Sequence, residues 1–461
     1  MMKIYRVVLM SSVAMLSACA SEQGEGLSHA DVPLAWDTAI PAGAEIWPSP
    51  QWWHNFDSRE LDWLIDAAQT QNIDLASAAS RILQAEAQAR ASGSALLPSL
   101  DLRAGASQSG TLESSGSARQ SFSIDLGASY EVDFWGRNRA NLSAAEASLR
   151  ASAYDRETVA LTVVSSVATT YFQLLSLRDR IGFAQQNLDN AQGVLKITKA
   201  RVNAGVAVPI ELAQQLANVA GQEANIPALE QQEREALAAL ALLLGRPVQG
   251  FNISGTSLGV LKAPSIAPGL PSALLARRPD VRRAEALLAG GDANIGAARA
   301  AFFPSISLSG SLGASSGALS SLLNPSNIAY SIGASLLQSI FDGGRNEANL
   351  DAAVARRQEL LLGYRKVVIS AFSDVDVALG AAASLGARER ASQIQTDQAQ
   401  EAYRIAELRY RTGVDGFLTV LDAQRSLYAA QDQLAQAKLA RLQASVTLFR
   451  VLGGGWIDPA G

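Results

Sequence analysis

The sequence predicts a mainly α-helical chain with β-strands, built as a tandem duplication. Each half contributes two amphipathic strands of membrane-spanning length and long coiled-coil helices. Three observations carry the prediction. Segments recur in the same order at an offset of about 206–208 residues, strand-length stretches alternate apolar and polar side chains, and the proline-free stretch 138–203 steps its apolar residues by three and four.

At the N-terminus, Lys3 and Arg6 precede a short apolar run from Val7 to Leu16, which leads into Leu16-Ser17-Ala18-Cys19. A basic region, a short apolar region and small residues before a cut site describe a secretory signal. The run is too short to cross a bilayer. Leu-Ser-Ala-Cys is similar to a bacterial lipobox, which implies that Cys19 becomes the mature N-terminus and carries diacylglycerol and an N-acyl chain. Ala20 and Ser21 follow, with no aspartate at the second mature position, a pattern that by resemblance to other lipoproteins favours the outer membrane. Elsewhere no segment supplies 18 consecutive apolar residues. A membrane-spanning portion must therefore be a closed β-barrel.

Composition narrows the function classes. Of 461 residues, 48% are hydrophobic but only 6% aromatic, and much of the apolar content is alanine, which suits long helices packed at close range. A net charge of −5 argues neither for nucleic acid nor for a polybasic membrane surface. One cysteine and two histidines exclude a disulfide framework within the chain and leave little room for a metal centre. No nucleotide-binding glycine pattern and no Cys/His cluster is present. The chain reads as a non-enzyme without a cofactor.

The duplication rests on four ordered pairs. Leu96-Leu97-Pro98-Ser99-Leu100 returns as Phe302-Phe303-Pro304-Ser305-Ile306, and Gly136-Arg137-Asn138 through Leu142 returns as Gly344-Arg345-Asn346 through Leu350. Arg201 to Val206 matches Arg409 to Val414, and Leu244-Gly245 matches Leu452-Gly453. Each half reads helix, hairpin, long helix, turn, long helix. The division is a signal peptide over 1–18, an anchored segment over 19–56, a first repeat over 57–247, a linker over 248–271, a second repeat over 272–455 and a tail over 456–461.

Within the first hairpin, Phe122, Ile124, Leu126, Ala128, Tyr130, Val132 and Phe134 share one face, with Ser123, Asp125, Ser129, Glu131 and Asp133 on the other. The partner strand runs from Ser99 to about Thr111, with Leu100, Leu102, Ala104 and Ala106 on one side. The second half repeats this with Ile306, Leu308 and Leu312, then Tyr330, Ile332, Ala334 and Leu336. A soluble sheet with one buried face would alternate in the same way. Four strands alone, however, cannot close a barrel and leave open edges, which an oligomer that pools strands removes. In the helices, Leu188, Ala191, Leu195, Thr198 and Val202 step as in a coiled coil, as do Leu439, Leu442, Val446 and Phe449. A continuous helix over 138–203 would be roughly 100 Å long. A simple two-stranded coiled coil fits that periodicity equally well, and alanine stripes on both sides suit helices with two neighbours. Arg278-Pro279-Asp280 marks a helix start, Arg277, Arg278, Arg282 and Arg283 read as local salt bridges, and Trp36, Trp47, Trp52, Trp53 and Phe56 read as packing the N-terminal segment.

These residues carry a family resemblance over nearly the whole mature chain. Glu131-Val132-Asp133-Phe134-Trp135-Gly136-Arg137 resembles the strand-to-helix junction of TolC-like outer-membrane efflux proteins. Leu275 to Val281 with Ala284-Glu285 resembles the opening of that family's second repeat, and Tyr410 to Asp415 through Leu421-Asp422-Ala423-Gln424 its inner helical turn. The ending Leu452-Gly453-Gly454-Gly455-Trp456 is similar to that of the lipoprotein subgroup serving resistance-nodulation-division (RND) pumps. The resemblance implies a homotrimer forming a twelve-stranded barrel continued by an α-helical barrel in the periplasm, with a periplasmic adaptor protein and an inner-membrane pump as partners. The polar strand face, including Asp125, Glu131 and Asp133, would line the pore. The turns at Gly205-Val206 and Gly413-Val414 would contact the adaptor, and Asp415 and Asp422 fall where the family has gate carboxylates. Asp415 reads also as a turn or capping residue and Asp422 as a solvated helix position, while the first-repeat turn, Ala207-Val208-Pro209, has no carboxylate. The function implied is passive conduction of drugs or other small toxic compounds across the outer membrane. Conduction of metal ions or polypeptides, and a periplasmic coiled-coil adaptor, are the alternatives.

Overall fold

The computed structural model describes residues 33, 35–37, 47–110, 119–264, 269 and 271–458. The signal segment and Cys19 lie outside these residues. Helices α1 (Arg59–Gln71) and α2 (Ile73–Ser94) lead into strands β1 (Ser99–Ser109) and β2 (Arg119–Val132), followed by the long helix α3 (Arg137–Asn203) and its return α4 (Pro209–Leu243). The second half repeats the order with α5 (Pro279–Ala300), β3 (Ser305–Ser316), β4 (Ile328–Leu337), α6 (Arg345–Arg411) and α7 (Phe417–Val451). Helices α3 and α6 each have 67 residues, and α4 and α7 each have 35. Equal lengths across a divergent sequence are what a duplication preserves.

Local chemistry sets the boundaries. Ser58 accepts from the Leu61 N–H at the start of α1, and Asn72 accepts from Leu75 N–H at the start of α2. The chain turns sharply from strand into long helix at Gly136 (φ 79°) and Gly344 (φ 85°), a left-handed conformation that glycine adopts without cost. Asp133 and Asp342 reach over these turns and accept the N–H groups of Asn138 and Asn346 at 2.9 and 3.1 Å, satisfying donors the helices cannot pair themselves. Pro279 opens α5, where its missing N–H costs nothing. Pro227 lies inside α4 and removes one helical hydrogen bond there.

The four strands form one antiparallel sheet in the order β1-β2-β3-β4, so the two hairpins are joined by the β2–β3 ladder. The helices extend away from it in pairs, α3 with α4 and α6 with α7, crossing between repeats through α3 with α5 and α7. One apolar core gathers Trp52, Phe56, Leu64, Tyr171, Phe172, Leu240 and Phe449, where the N-terminal segment meets α1, α3, α4 and α7. A second, around Val281, Val368, Val375, Leu448 and Leu452, is its counterpart in the second repeat. Trp52 stacks on Phe449 at 4.8 Å, while Trp36 and Trp47 lie against the second core, so the tryptophans do pack the N-terminal segment onto the helices. Stretches of α3 and α6 are apolar and long enough to cross a membrane by length and composition, but half of the α3 stretch is buried within this chain.

Candidate functional site

The sheet has two chemically distinct faces, set by the registers. Asp125 lies opposite Arg103 on β1 and Gly313 on β3, and Glu131 lies opposite Ser307. Along the same face Ser99 and Ser129 share a hydrogen bond of 2.8 Å, as do Ser311 and Ser331. This face is rich in serine and glycine, and its charges, Asp101, Arg103, Arg119, Asp125 and Glu131, lie on β1 and β2. The opposite face presents Leu100, Leu102, Leu308, Leu312, Tyr330, Ile332 and Leu336, all exposed in the single chain. Alternation of an apolar outer face with a polar inner one is the pattern of a lipid-embedded barrel strand.

The three carboxylates expected on the polar face separate into different situations. The Asp125 carboxylate leans over Gly313, where a β-carbon would come within 2.6 Å of its Oδ1. Glu131 is held by Arg137, whose Nη2 donates to both carboxylate oxygens at 2.6 and 2.8 Å. Asp133 lies one residue past β2 and accepts from the Asn138 and Arg139 N–H groups and from the Arg139 guanidinium, so it caps α3. Beside it Trp135 stacks on Phe303 at 4.7 Å and donates its indole N–H to the Pro304 carbonyl at 2.8 Å. That contact locks the first repeat's strand-to-helix corner onto the second repeat.

At the other end of the long helices, both turns are closed by left-handed glycines. The Val206 N–H bonds back to the Arg201 carbonyl at 3.0 Å and the Val414 N–H to the Arg409 carbonyl at 2.9 Å, the pattern of a glycine-terminated helix. Gly205 and Gly413 (φ 70° and 78°) supply the bend, and Val206 and Val414 project outward, 66% and 63% exposed. Asp415 is paired with Arg409 of its own hairpin at 2.6 and 3.1 Å, and this hydrogen-bonded pair lowers its pKa. Asp422 is exposed on the first turns of α7. The structure therefore puts both near the tip, with Asp415 doubling as a turn-closing residue.

One group at the tip is not evident from motifs. The Tyr410 hydroxyl lies 3.1 Å from the Thr198 hydroxyl and donates to Glu211 at 3.5 Å. The Arg201 guanidinium sits 4.6 Å above the same ring and donates to the Tyr410 carbonyl at 2.7 Å. This node ties the first hairpin to the second. Its signal in the sequence is a break in the repeat, because Tyr410 occupies the position that Val202 holds in the first half. The letters Gly-x-Ser-x-Gly occur at Gly313 to Gly317, at the end of strand β3, and at Gly255 to Gly259. At the second of these the Ser257 hydroxyl accepts the Gly259 N–H at 3.0 Å in a short linker turn, not in the strand–turn–helix setting a nucleophile needs.

Comparison with known proteins agrees with this architecture. The profile of the outer membrane efflux protein family matches residues 64–246 and again 270–454, one match per repeat. The pyoverdine export outer membrane protein OpmQ of Pseudomonas aeruginosa is 43% identical, covering 99% of this chain and 98% of its own length. The cation efflux system protein CusC of Escherichia coli O6:H1 is 34% identical over 90% of each chain. Among solved structures, the outer-membrane channel OprN superimposes with a TM-score of 0.85 at 28% identity, over 92% of this chain and 97% of its own. Two family matches spanning both repeats, on a sheet with one lipid-type face, leave a single identification: this chain belongs to the outer membrane efflux protein family and is an outer-membrane efflux channel, not an enzyme.

Proposed function

We propose that three copies of this chain close one twelve-stranded barrel in the outer membrane and continue it as a helical tube into the periplasm. The observation that carries this is a four-stranded sheet with one apolar face, one hydroxyl-rich face and both edges open. Four strands cannot close, about eight leave room for little beyond side chains, and about sixteen leave an aqueous channel. Twelve from three copies gives a bore between those limits. The lipobox at Cys19 supports a lipid anchor, and Cys19→Ser is expected to abolish palmitate labelling. The glycine-closed tips, with Gly205, Val206, Gly413 and Val414 outward, suit docking of a periplasmic adaptor, and the C-terminal motif supports an RND-type pump. Asp415 and Asp422 would form acidic rings at the narrowing tip, and Asp125 and Glu131 would face the bore, with Asp133 at its inner rim.

The cargo we propose is a small organic molecule expelled from the periplasm, such as a drug, another small toxic compound, or pyoverdine, for whose export OpmQ is named. A lumen rich in serine and glycine, with charges of both signs on β1 and β2, suits a passive conduit that leaves the choice of cargo to the pump. Cation efflux, for which CusC is named, is the second reading and rests on the more distant similarity. The test is retention of a fluorescent dye and of added pyoverdine in cells with and without this gene. Retention that rises on deletion and falls when the gene is restored supports the organic-cargo reading. Retention unchanged for both, with raised sensitivity to metal cations, replaces it by the cation reading.

A further inference from the structure

Asp125 stands near the middle of β2, with Arg103 opposite it on β1 and Gly313 opposite it on β3. Side chains opposite each other on one face of an antiparallel pair have β-carbons about 4.5–5.5 Å apart, close enough for an ion pair. Among the described residues no ion pair joins Asp125 to Arg103. The carboxylate turns the other way. Its Oδ1 lies 2.6 Å from the point where a β-carbon on Gly313 would stand, and its Oδ2 lies 3.6 Å from the corresponding point on Gly127, so it rests on two residues without side chains. Ala329 continues the row beyond Gly313 and adds only a methyl group. The result is a depression of about 250 Å³ in the polar face, lined by Asp125 and by Ser123, Ser311, Ser315 and Ser331. Strands β3 and β4 bring no charge to it, because they carry none.

We infer that this depression binds the ammonium group of a passing organic cation, with Asp125 as its counter-ion. An ionised carboxylate only accepts hydrogen bonds and a serine hydroxyl accepts as readily as it donates, whereas an ammonium group brings three N–H donors and a positive charge. Hydrogen bonds to an ionised acceptor are about twice as strong as neutral ones. Asp125 takes the charge and one or two donors, and the surrounding serine hydroxyls take the rest. Pockets for drug-sized molecules run to about 300–1,000 Å³. The smaller depression here admits an ammonium head with its first few carbons and leaves the body of the cargo in the bore. Arg103, on the far side of Asp125, keeps the β1 side unfavourable for a cation, so the head enters from β3 and β4. The inference rests on the channel reading above, with this face toward the bore, and goes beyond it by naming a chemical group of the cargo that the wall recognises.

The test is block of single-channel current in planar bilayers by butylammonium and by its isomer tetramethylammonium, two cations of equal charge and composition of which only the first has N–H donors. The full-length protein carries Asp415→Ala and Asp422→Ala throughout, which removes the tip carboxylates as a rival site. Butylammonium is expected to block at about tenfold lower concentration than tetramethylammonium, and Asp125→Asn to abolish that advantage. Ser311→Ala with Ser331→Ala, which leaves the carboxylate in place, is expected to weaken butylammonium block about threefold. Equal block by the two isomers overturns the site. So does butylammonium block that is unchanged in whichever of the Asp125 and serine variants runs as an oligomer on an unheated gel. Absence of stepwise current, from this protein and from the unsubstituted one alike, overturns the channel reading instead.

Discussion

Gly245 and Gly453 occupy the same place in the two repeats, as do Gln71 and Arg277. Each glycine follows the end of a return helix, with φ 66° and 87°, and presses its α-carbon onto the backbone carbonyl of the matching residue. A β-carbon on Gly245 would lie 3.2 Å from the Gln71 carbonyl carbon, and one on Gly453 would lie 2.8 Å from the Arg277 carbonyl carbon, with the oxygens closer still. Gly205 and Gly413 at the tips share the left-handed backbone but have nothing within 4 Å of a built β-carbon. Alanine at the tips should therefore cost only the left-handed strain, about 1–2 kcal/mol. At Gly245 or Gly453 a buried backbone must also move, adding about 1–3 kcal/mol, for a total of about 2–5 kcal/mol. Asparagine separates the two terms, because it tolerates the left-handed region but not the missing space. Gly413→Asn should be nearly neutral, and Gly453→Asn at least as damaging as Gly453→Ala. Urea titration of outer-membrane-extracted protein, read by protease resistance, measures both. Equal losses for the two asparagine variants would refute the argument that close approach, rather than backbone angle, demands glycine there.

Three further outcomes follow from the same contacts. Trp52, fully buried and stacked on Phe449, should lose about 3–5 kcal/mol on change to alanine, seen as an earlier urea midpoint. Burial acts to raise the Glu60 pKa, but the Ser254 and Gly255 N–H groups and the Ser254 and Tyr171 hydroxyls outweigh it and hold the carboxyl below its ordinary value. Its stabilisation is thus complete above the unfolded value, about 4.3, and lost as pH falls through the lower folded one. Glu60→Gln should flatten that acid-side loss in a stability-versus-pH series. Asp415→Ala together with Asp422→Ala should raise single-channel conductance or reduce cation preference in planar bilayers, and unchanged values would remove both from the gate.

Much of the architecture was legible because duplication and period-two alternation are global signals. Two copies of one pattern gave the hairpins and the long helices, whereas the β2–β3 ladder that joins the repeats had no signal of its own. The two turns were legible from glycine and proline, since a break between two long helical periods has few solutions. What the sequence could not show is partner choice among charged side chains. Asp125 and Asp133 alternate identically on paper, yet one leans across the sheet over Gly313 and the other lies one residue past the strand and caps a helix. Asp415 reads as a gate carboxylate or as a turn residue, and neither reading names Arg409 as its partner. The Tyr410 node joins residues more than two hundred positions apart, and only the folded hairpins bring Thr198 and Arg201 to it. The Glu60 clamp has the same origin, because a carboxylate in α1 meets a linker loop that carries no motif of its own.

The most direct measurement of the central claim is the current through a planar lipid bilayer exposed to the purified, full-length protein that runs as a heat-sensitive oligomer on a gel. A passive outer-membrane channel predicts discrete, repeatable conductance steps that scale with salt concentration and require no energy source. Protein that inserts as the oligomer yet passes no stepwise current, at any voltage and with the acidic tip residues replaced, would contradict it.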